Sequence, residues 1–281
     1  MTSANLRPAE KRVTVIEAGR ANLEYFQDLW RYRELFYILV WRDLLVRYKQ
    51  TALGLAWTLL KPLLTALVFA LVFGKLVNVP SGGMPHAPFM YVALVPWLFF
   101  ATSIAESSTS LAAHSALISK VYFPRLLVPL VSTVVALIEM LVALALLVPM
   151  LIIFGIEPSW RLLALVPLTL LTACLAFALG AWSAALHVKY RDTGIVLPFV
   201  LQFGLYVSPV IFPGDLVPYP WRALYSLNPM VGVIEGFRWA SFPDQSLDPM
   251  TLGTSVLATC LFLMMGLRYF RGIERHLADV I

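Results

Sequence analysis

Cysteine is nearly missing from this chain: Cys174 and Cys260 are the only two in 281 residues. Both fall inside apolar runs, so the sequence offers no disulfide framework and no cysteine-based metal set. They read as small core residues. Charge is scarce as well, since Asp, Glu, Lys and Arg together make up 13% of the chain. Hydrophobic residues make up 60%, and mean hydropathy is +0.80. That balance excludes an ordinary soluble domain. No GxxxxGK[ST] phosphate loop is present, which excludes ATP binding by that route, and no HExxH, GxSxG or CxxC motif occurs. The four histidines, His86, His114, His187 and His276, are scattered. An enzyme with a familiar active site, a metal centre or a resident cofactor is not expected. The first 29 residues lack an apolar core followed by a small-residue cleavage site, which argues against a signal peptide.

What the chain does have is long apolar runs. A helix crossing the hydrocarbon core needs about 20 such residues. Six runs qualify: Ala52–Val77, Phe89–Ala113, Leu126–Phe154, Leu162–His187, Gly194–Phe212 and Thr251–Tyr269. They are apolar on every face, as in LVALALLVPMLII, rather than alternating as β-barrel strands do. The expected fold is therefore an all-α membrane protein with six transmembrane helices.

Lys and Arg, which are retained on the cytoplasmic side, set the expected orientation. Arg7, Lys11, Arg12, Arg20, Arg31, Arg33, Arg42, Arg47 and Lys49 precede the first run. Lys120, Arg125, Lys189, Arg191, Arg268, Arg271 and Arg275 fall in segments that six crossings place on the same side; the other side holds little beyond Lys75, Arg161, Arg222 and Arg238. Both termini are expected in the cytoplasm. The net charge of +5 reflects this topology and gives no reason to expect a nucleic-acid partner.

Four stretches divide the chain: a cytoplasmic arm over 1–29, an amphipathic interface helix over 30–50, the membrane domain over 51–270 and a cytoplasmic tail over 271–281. In the interface helix Tyr37, Trp41, Leu44, Leu45 and Tyr48 share one face, with Asp43 and Arg47 opposite. Residues 213–243 are half apolar yet interrupted by Arg222, Asn228-Pro229, Glu235 and Arg238. A seventh crossing there would put Arg268, Arg271 and Arg275 outside. The segment is expected to dip in and return as an outer gate, its irregular backbone satisfied by protein or a water-filled cavity.

Ionisable residues at membrane depth are costly and mark candidate functional positions. Glu139 lies near the middle of the third run, while Lys61 and Glu106 lie nearer the ends of theirs. Lys61 either snorkels to headgroups or lines a pore; Glu139 either bonds a neighbouring helix or meets a substrate. Aromatic residues in or near the runs, Trp57, Phe69, Phe73, Trp97, Phe99, Phe100, Phe203, Tyr206 and Phe212, are ordinary interface residues or a conduit for sugars. A flat ring suits the C–H face of a pyranose, and Trp or Tyr adds a hydrogen bond.

Five motifs occur in order: RYKQTALGLAWTLLKPLL, KVYFPRLLVPL, KYRDTG, YVSPVIFP and LNPMVGVIEGFR. Together they resemble the permease subunit of polysaccharide-exporting ABC transporters of the ABC-2 class, the Wzm/TagG-like family that exports O-antigen, some capsules and teichoic acids. The resemblance implies a homodimer working with two copies of a separate ATP-binding subunit, which would carry the ATP and Mg. It implies export of an undecaprenyl-diphosphate-linked glycan across a bacterial inner membrane. Within that picture Trp57, Phe69, Phe73, Trp97, Phe99, Phe100, Phe203 and Tyr206 form the substrate channel. Arg42, Arg47, Lys49 and Lys61 attract the lipid diphosphate. Trp221, Asn228, Pro229, Met230, Glu235 and Arg238 belong to the periplasmic gate, and Ser115, Ser119, Lys120 and Tyr122 dock on the ATPase. An ABC-2 exporter of a drug or small lipid is the alternative.

Overall fold

The computed structural model describes residues 22–49, 51, 53–54, 56–218 and 220–274. Most of the arm and tail expected from the sequence, 1–21 and 275–281, and the expected start of the first span at Ala52 lie outside these residues. Among the described residues all regular structure is helical. Helix α1 (Asn22–Arg31) breaks at Tyr32 and is followed by α2 (Arg33–Tyr48), so helix begins eight residues before Trp30, inside the stretch read as an arm. Then come α3 (Ala56–Phe69), continued by a π-helical turn over Ala70–Leu76, and α4 (His86–Ala113). A short α5 (Ser115–Ile118) lies in the turn to α6 (Leu127–Ala145), and α7 (Leu147–Ile153) continues that rod after one broken position. A 3-10 turn at Trp160–Ala164 leads into α8 (Leu165–Lys189), followed by α9 (Thr193–Val207). Short α10 (Trp221–Tyr225) and α11 (Pro229–Ser241) precede the final α12 (Pro249–Glu274).

Among the described residues five rods are long and apolar enough to cross a bilayer: Ala56–Leu76, His86–Ala113, Leu127–Ile153, Trp160–Lys189 and Pro249–Glu274. The fifth run of the sequence behaves differently, because its helix has 15 residues. At ~1.5 Å per residue it is some 8 Å short of the hydrocarbon thickness. Its end has a local cause. Ser208 precedes Pro209, whose ring disfavours helical geometry in the residue before it, and Ser208 is extended at φ −88°, ψ 156°. Where the sequence leads one to expect six spanning helices, the described residues form five long rods and one shorter apolar helix.

Helix α4 is the hub. Its most apolar window is 78% buried, against 11% for the α3 rod, and it packs on α3, α6, α8, α9 and α11. Small residues permit the closest approaches, as is common between membrane helices. A Cβ on Gly266 of α12 would lie 2.5 Å from the Ala178 carbonyl oxygen of α8, and one on Gly180 would lie 2.9 Å from the Ser107 side chain of α4. At the periphery α9 buries no residue, and the rod of α3 and its π-helical continuation exposes Leu64, Leu67, Val68 and Leu71.

Candidate functional site

The interface helix packs on a stripe rotated from the one its aromatics suggest: Leu44 and Tyr48 of that face turn inward, whereas its other members do not. Leu39, Asp43 and Arg47 recur every four residues and so share a side. Leu39 and Val40 are buried against Val131 and Val135 of α6, while Tyr37, Trp41 and Leu45 point outward, Tyr37 at 67% exposure. The stripe that buries Leu39 also aims Arg47 into the spans. Its guanidinium donates one hydrogen bond to Glu106 Oε2 of α4 and another to Glu139 Oε1 of α6, each at 2.6 Å. Tyr48 also donates to Glu139 Oε1, and its hydroxyl lies 2.9 Å from Thr58 Oγ1 of α3. Two carboxylates at membrane depth are thus held by one forked cation, a geometry that lysine cannot supply. Arg47 lies outside the spans. Burial alone would lower its pKa, yet Glu106 and then Glu139 hold it above the ordinary guanidinium value.

Beside this cluster a cavity of about 300 Å³ opens between α2, α3, α4 and α6. Trp57, Lys61, Phe99 and Thr102 line it together with Glu106 and Glu139. Its wall therefore combines aromatic faces, hydroxyls and both signs of charge. Pro62 sits at its edge and removes a backbone hydrogen bond from the first turns of α3.

The structure brings some sequence-selected residues together and separates others. Arg47 and Lys61 meet at the cavity, whereas Lys49 is exposed and Arg42 pairs with Asp43 at 2.7 Å while contacting His114. Trp97, Phe99 and Phe100 are buried within the chain rather than on an open face; Trp97 packs at Gly204 of α9, where a Cβ would lie 2.7 Å from its ring. Phe69 and Phe73 meet edge to face at 5.5 Å. Phe203 and Tyr206 are more than half exposed on α9, and Phe203 lies 4.5 Å from Phe199. In the turn between α4 and α6, Ile118 and Phe123 are buried anchors. Ser119, Lys120 and Tyr122 project outward between them, and Ser115 is half-buried.

At the opposite end α11 is built from local signals. Asn228 caps it by accepting from the Met230 amide, and Pro229 occupies the first helical position. The Asn228 side-chain amide also donates to Ser208 Oγ at 3.0 Å, tying α11 to the end of α9. Arg238, 2% exposed, donates to the carbonyls of Val210 and Phe212 and lies 3.7 Å over the Phe89 ring of α4. These residues staple the irregular stretch after α9 onto α11. Met230 is buried, Trp221 is exposed, and half-buried Glu235 fills the space beside Gly214. Burial, with Asp215 nearby, raises the Glu235 pKa to about 7.

Sequence reasoning singled out Arg47, Glu106 and Glu139 but not their union. It assigned Arg47 to the polar side of an interface helix, and only packing shows that this side faces inward. The role of Ser208 and of the Val210 and Phe212 carbonyls carried no sequence signal beyond the YVSPVIFP motif.

Comparison with known proteins accords with this architecture. Over 258 residues the chain is 27% identical to the O-antigen export system permease protein RfbA of Myxococcus xanthus, covering 91% of this chain and 98% of that protein. It is 24% identical to the RfbA protein of Klebsiella pneumoniae over 92% of this chain and 97% of that one. To the polysialic acid transport protein KpsM of Escherichia coli it is 23% identical, over 83% and 91%. The family profile described as ABC-2 type transporter matches residues 34–242, which run from the interface helix through α11. The chain belongs to the ABC-2 type transporter family.

Proposed function

We propose that the protein is the membrane permease of an ATP-driven exporter of a lipid-linked polysaccharide, with ATP hydrolysed on a separate ATP-binding subunit. Near full-length similarity to O-antigen and polysialic acid permeases carries the reading. Two copies of this chain build the conduit. The bare faces of α3 and α9 support that arrangement, because one protomer leaves Trp57, Phe203 and Tyr206 open where a second would close a passage. The turn carrying Ser115, Ser119, Lys120 and Tyr122 docks the ATPase together with the outer face of α2. Both termini and this turn lie in the cytoplasm, as the Lys and Arg distribution indicates.

The ion cluster gives this reading a mechanical link. A displacement of α2 driven by ATPase closure pulls on Arg47, and Arg47 holds α4 and α6 through Glu106 and Glu139. Two rods in the membrane core then move with one interface helix. The lipid diphosphate is drawn first to Lys49 and Lys61, whose side chains are exposed. At the far end, the segment stapled by Arg238 and Asn228 is the gate through which the glycan leaves.

Co-purification of the tagged full-length chain with an ATP-binding subunit, followed by ATPase assays in nanodiscs, tests the proposal. Lipid-linked glycan should stimulate hydrolysis. Stimulation by small amphiphiles and none by the glycan would instead favour an exporter of drugs or small lipids.

A further inference from the structure

On the outer flank of the molecule, away from the ion cluster, a groove of about 420 Å³ runs between α8 and α12 with α11 as its floor. Leu168, Leu171, Cys174, Trp239, Val256 and Cys260 are among its lining residues, and its one hydroxyl, on Thr259, is spent on the Ser255 carbonyl at 2.7 Å. Lining residues extend from Ala164, at the end of the 3-10 turn, to Cys174 of α8. That is ~15 Å at the helical rise, or about half the hydrocarbon thickness. The groove therefore has the depth of one leaflet. Its floor exists because position 236 is glycine; a Cβ there would lie 2.8 Å from Leu168.

One end of the groove is charged. Trp239 closes it, and the Arg161 guanidinium lies 5.5 Å over that indole while donating to the Pro243 carbonyl at 2.9 Å. Among the described residues no carboxylate forms an ion pair with Arg161. Arg161 does not line the groove itself but reaches its Trp239 wall, an interface-type tryptophan at the edge of the apolar slot. A partner that satisfies both ends carries an anionic oxygen group joined to a hydrocarbon chain.

We propose that this groove is a binding site for an anionic phospholipid of the leaflet facing away from the termini, with one acyl chain between α8 and α12 and its phosphate at Arg161. The site is separate from the glycan path and does not depend on which cargo the protein carries. A bound lipid there stiffens the contact of α8 and α12 with α11, the helix that holds the stapled segment after α9.

The test uses the full-length chain in phosphatidylcholine nanodiscs containing dibrominated phosphatidylglycerol or dibrominated phosphatidylcholine as the minor lipid. The signal is bromine quenching of Trp239 emission, taken as the difference from Trp239→Phe. Half-quenching should need about fivefold less brominated phosphatidylglycerol than brominated phosphatidylcholine, the effect of one basic residue near a headgroup. Arg161→Gln should abolish that preference, and filling the groove with Cys174→Phe and Cys260→Phe should abolish saturable quenching by either lipid. Native mass spectrometry provides a readout independent of tryptophan. The wild-type chain should retain a phosphatidylglycerol molecule that Arg161→Gln loses. Equal quenching by both lipids, unchanged by Arg161→Gln, would mean annular lipid only and overturn the site. Absent quenching with Cys260 cross-linking between copies would assign the face to a second protomer and overturn it too.

Discussion

Arg47 is the residue on which the interior electrostatics turn. Neutralising it leaves Glu106 and Glu139 near each other with no forked donor between them. Breaking a buried pair costs about 3–5 kcal/mol. Here the three side chains retain 22% to 33% exposure, and solvent screening lowers the expected loss to about 1–3 kcal/mol. Arg47→Gln should lower the melting temperature of the detergent-solubilised complex, and Arg47→Lys should restore only part of it. Adding Glu139→Gln to Arg47→Gln should recover part of the stability, because one of the two stranded carboxylates and its repulsion of Glu106 are gone; strictly additive losses in that double-mutant cycle would refute the coupling.

Glu235 gives a second outcome at the residue scale, through pH. Its folded pKa of about 7 lies above the ordinary value of 4.5. The folded state therefore binds this proton more tightly than the unfolded state, so the carboxyl destabilises the fold above pH 7 and ceases to do so as pH falls toward 4.5. Asp215 and Asp248 favour the proton, while Arg222 and Arg238 oppose it. Thermal stability should rise on acidification from pH 8 to 5, and Glu235→Gln should flatten that rise. An unchanged pH profile in the variant would assign the dependence to another group.

At the scale of elements, the staple between α11 and the stretch after α9 decides whether residues 208–214 hold one conformation. Arg238→Ala leaves the Val210 and Phe212 carbonyls without their donor. With each of the two unsatisfied carbonyls costing about 1–3 kcal/mol, the loss should be about 2–6 kcal/mol. Asn228→Ala removes the cap of α11 and the link to Ser208, costing about 1 kcal/mol. Hydrogen exchange should quicken over 208–214 in both variants while the centre of α4 stays protected. Uniform loss of protection along the chain would show a general packing role for Arg238.

For the whole molecule, the question is what covers α3 and α9. Both helices are largely bare within the chain, the apolar window of the α3 rod being 11% buried and α9 burying no residue, and the proposed second copy would cover them. In a chain with Cys174→Ala and Cys260→Ala, single cysteines at Phe203 or Tyr206 should cross-link two copies. A cysteine at exposed Leu257 of α12 should not, since that face is assigned to lipid. Cross-links at Leu257 and none at 203 or 206 would reverse the assignment of faces.

Hydrophobic run length and the bias of Lys and Arg were enough to read an all-helical membrane protein from the sequence, since a bilayer imposes both locally. The capping of α11 by Asn228 and Pro229 and the end of α9 before Pro209 are local as well, because they depend on backbone geometry over a few residues. The sequence by itself also marked Glu106 and Glu139 as expensive positions and Arg47 as a basic residue of the interface helix. Their meeting was decided only by tertiary structure: they are separated by 59 and 92 positions, and their distances depend on how α2 rotates about its axis against α6. The same holds for Arg238 and its carbonyl partners. Desolvation and pairing of charge are properties of packed neighbours, so no run of adjacent residues can encode them alone.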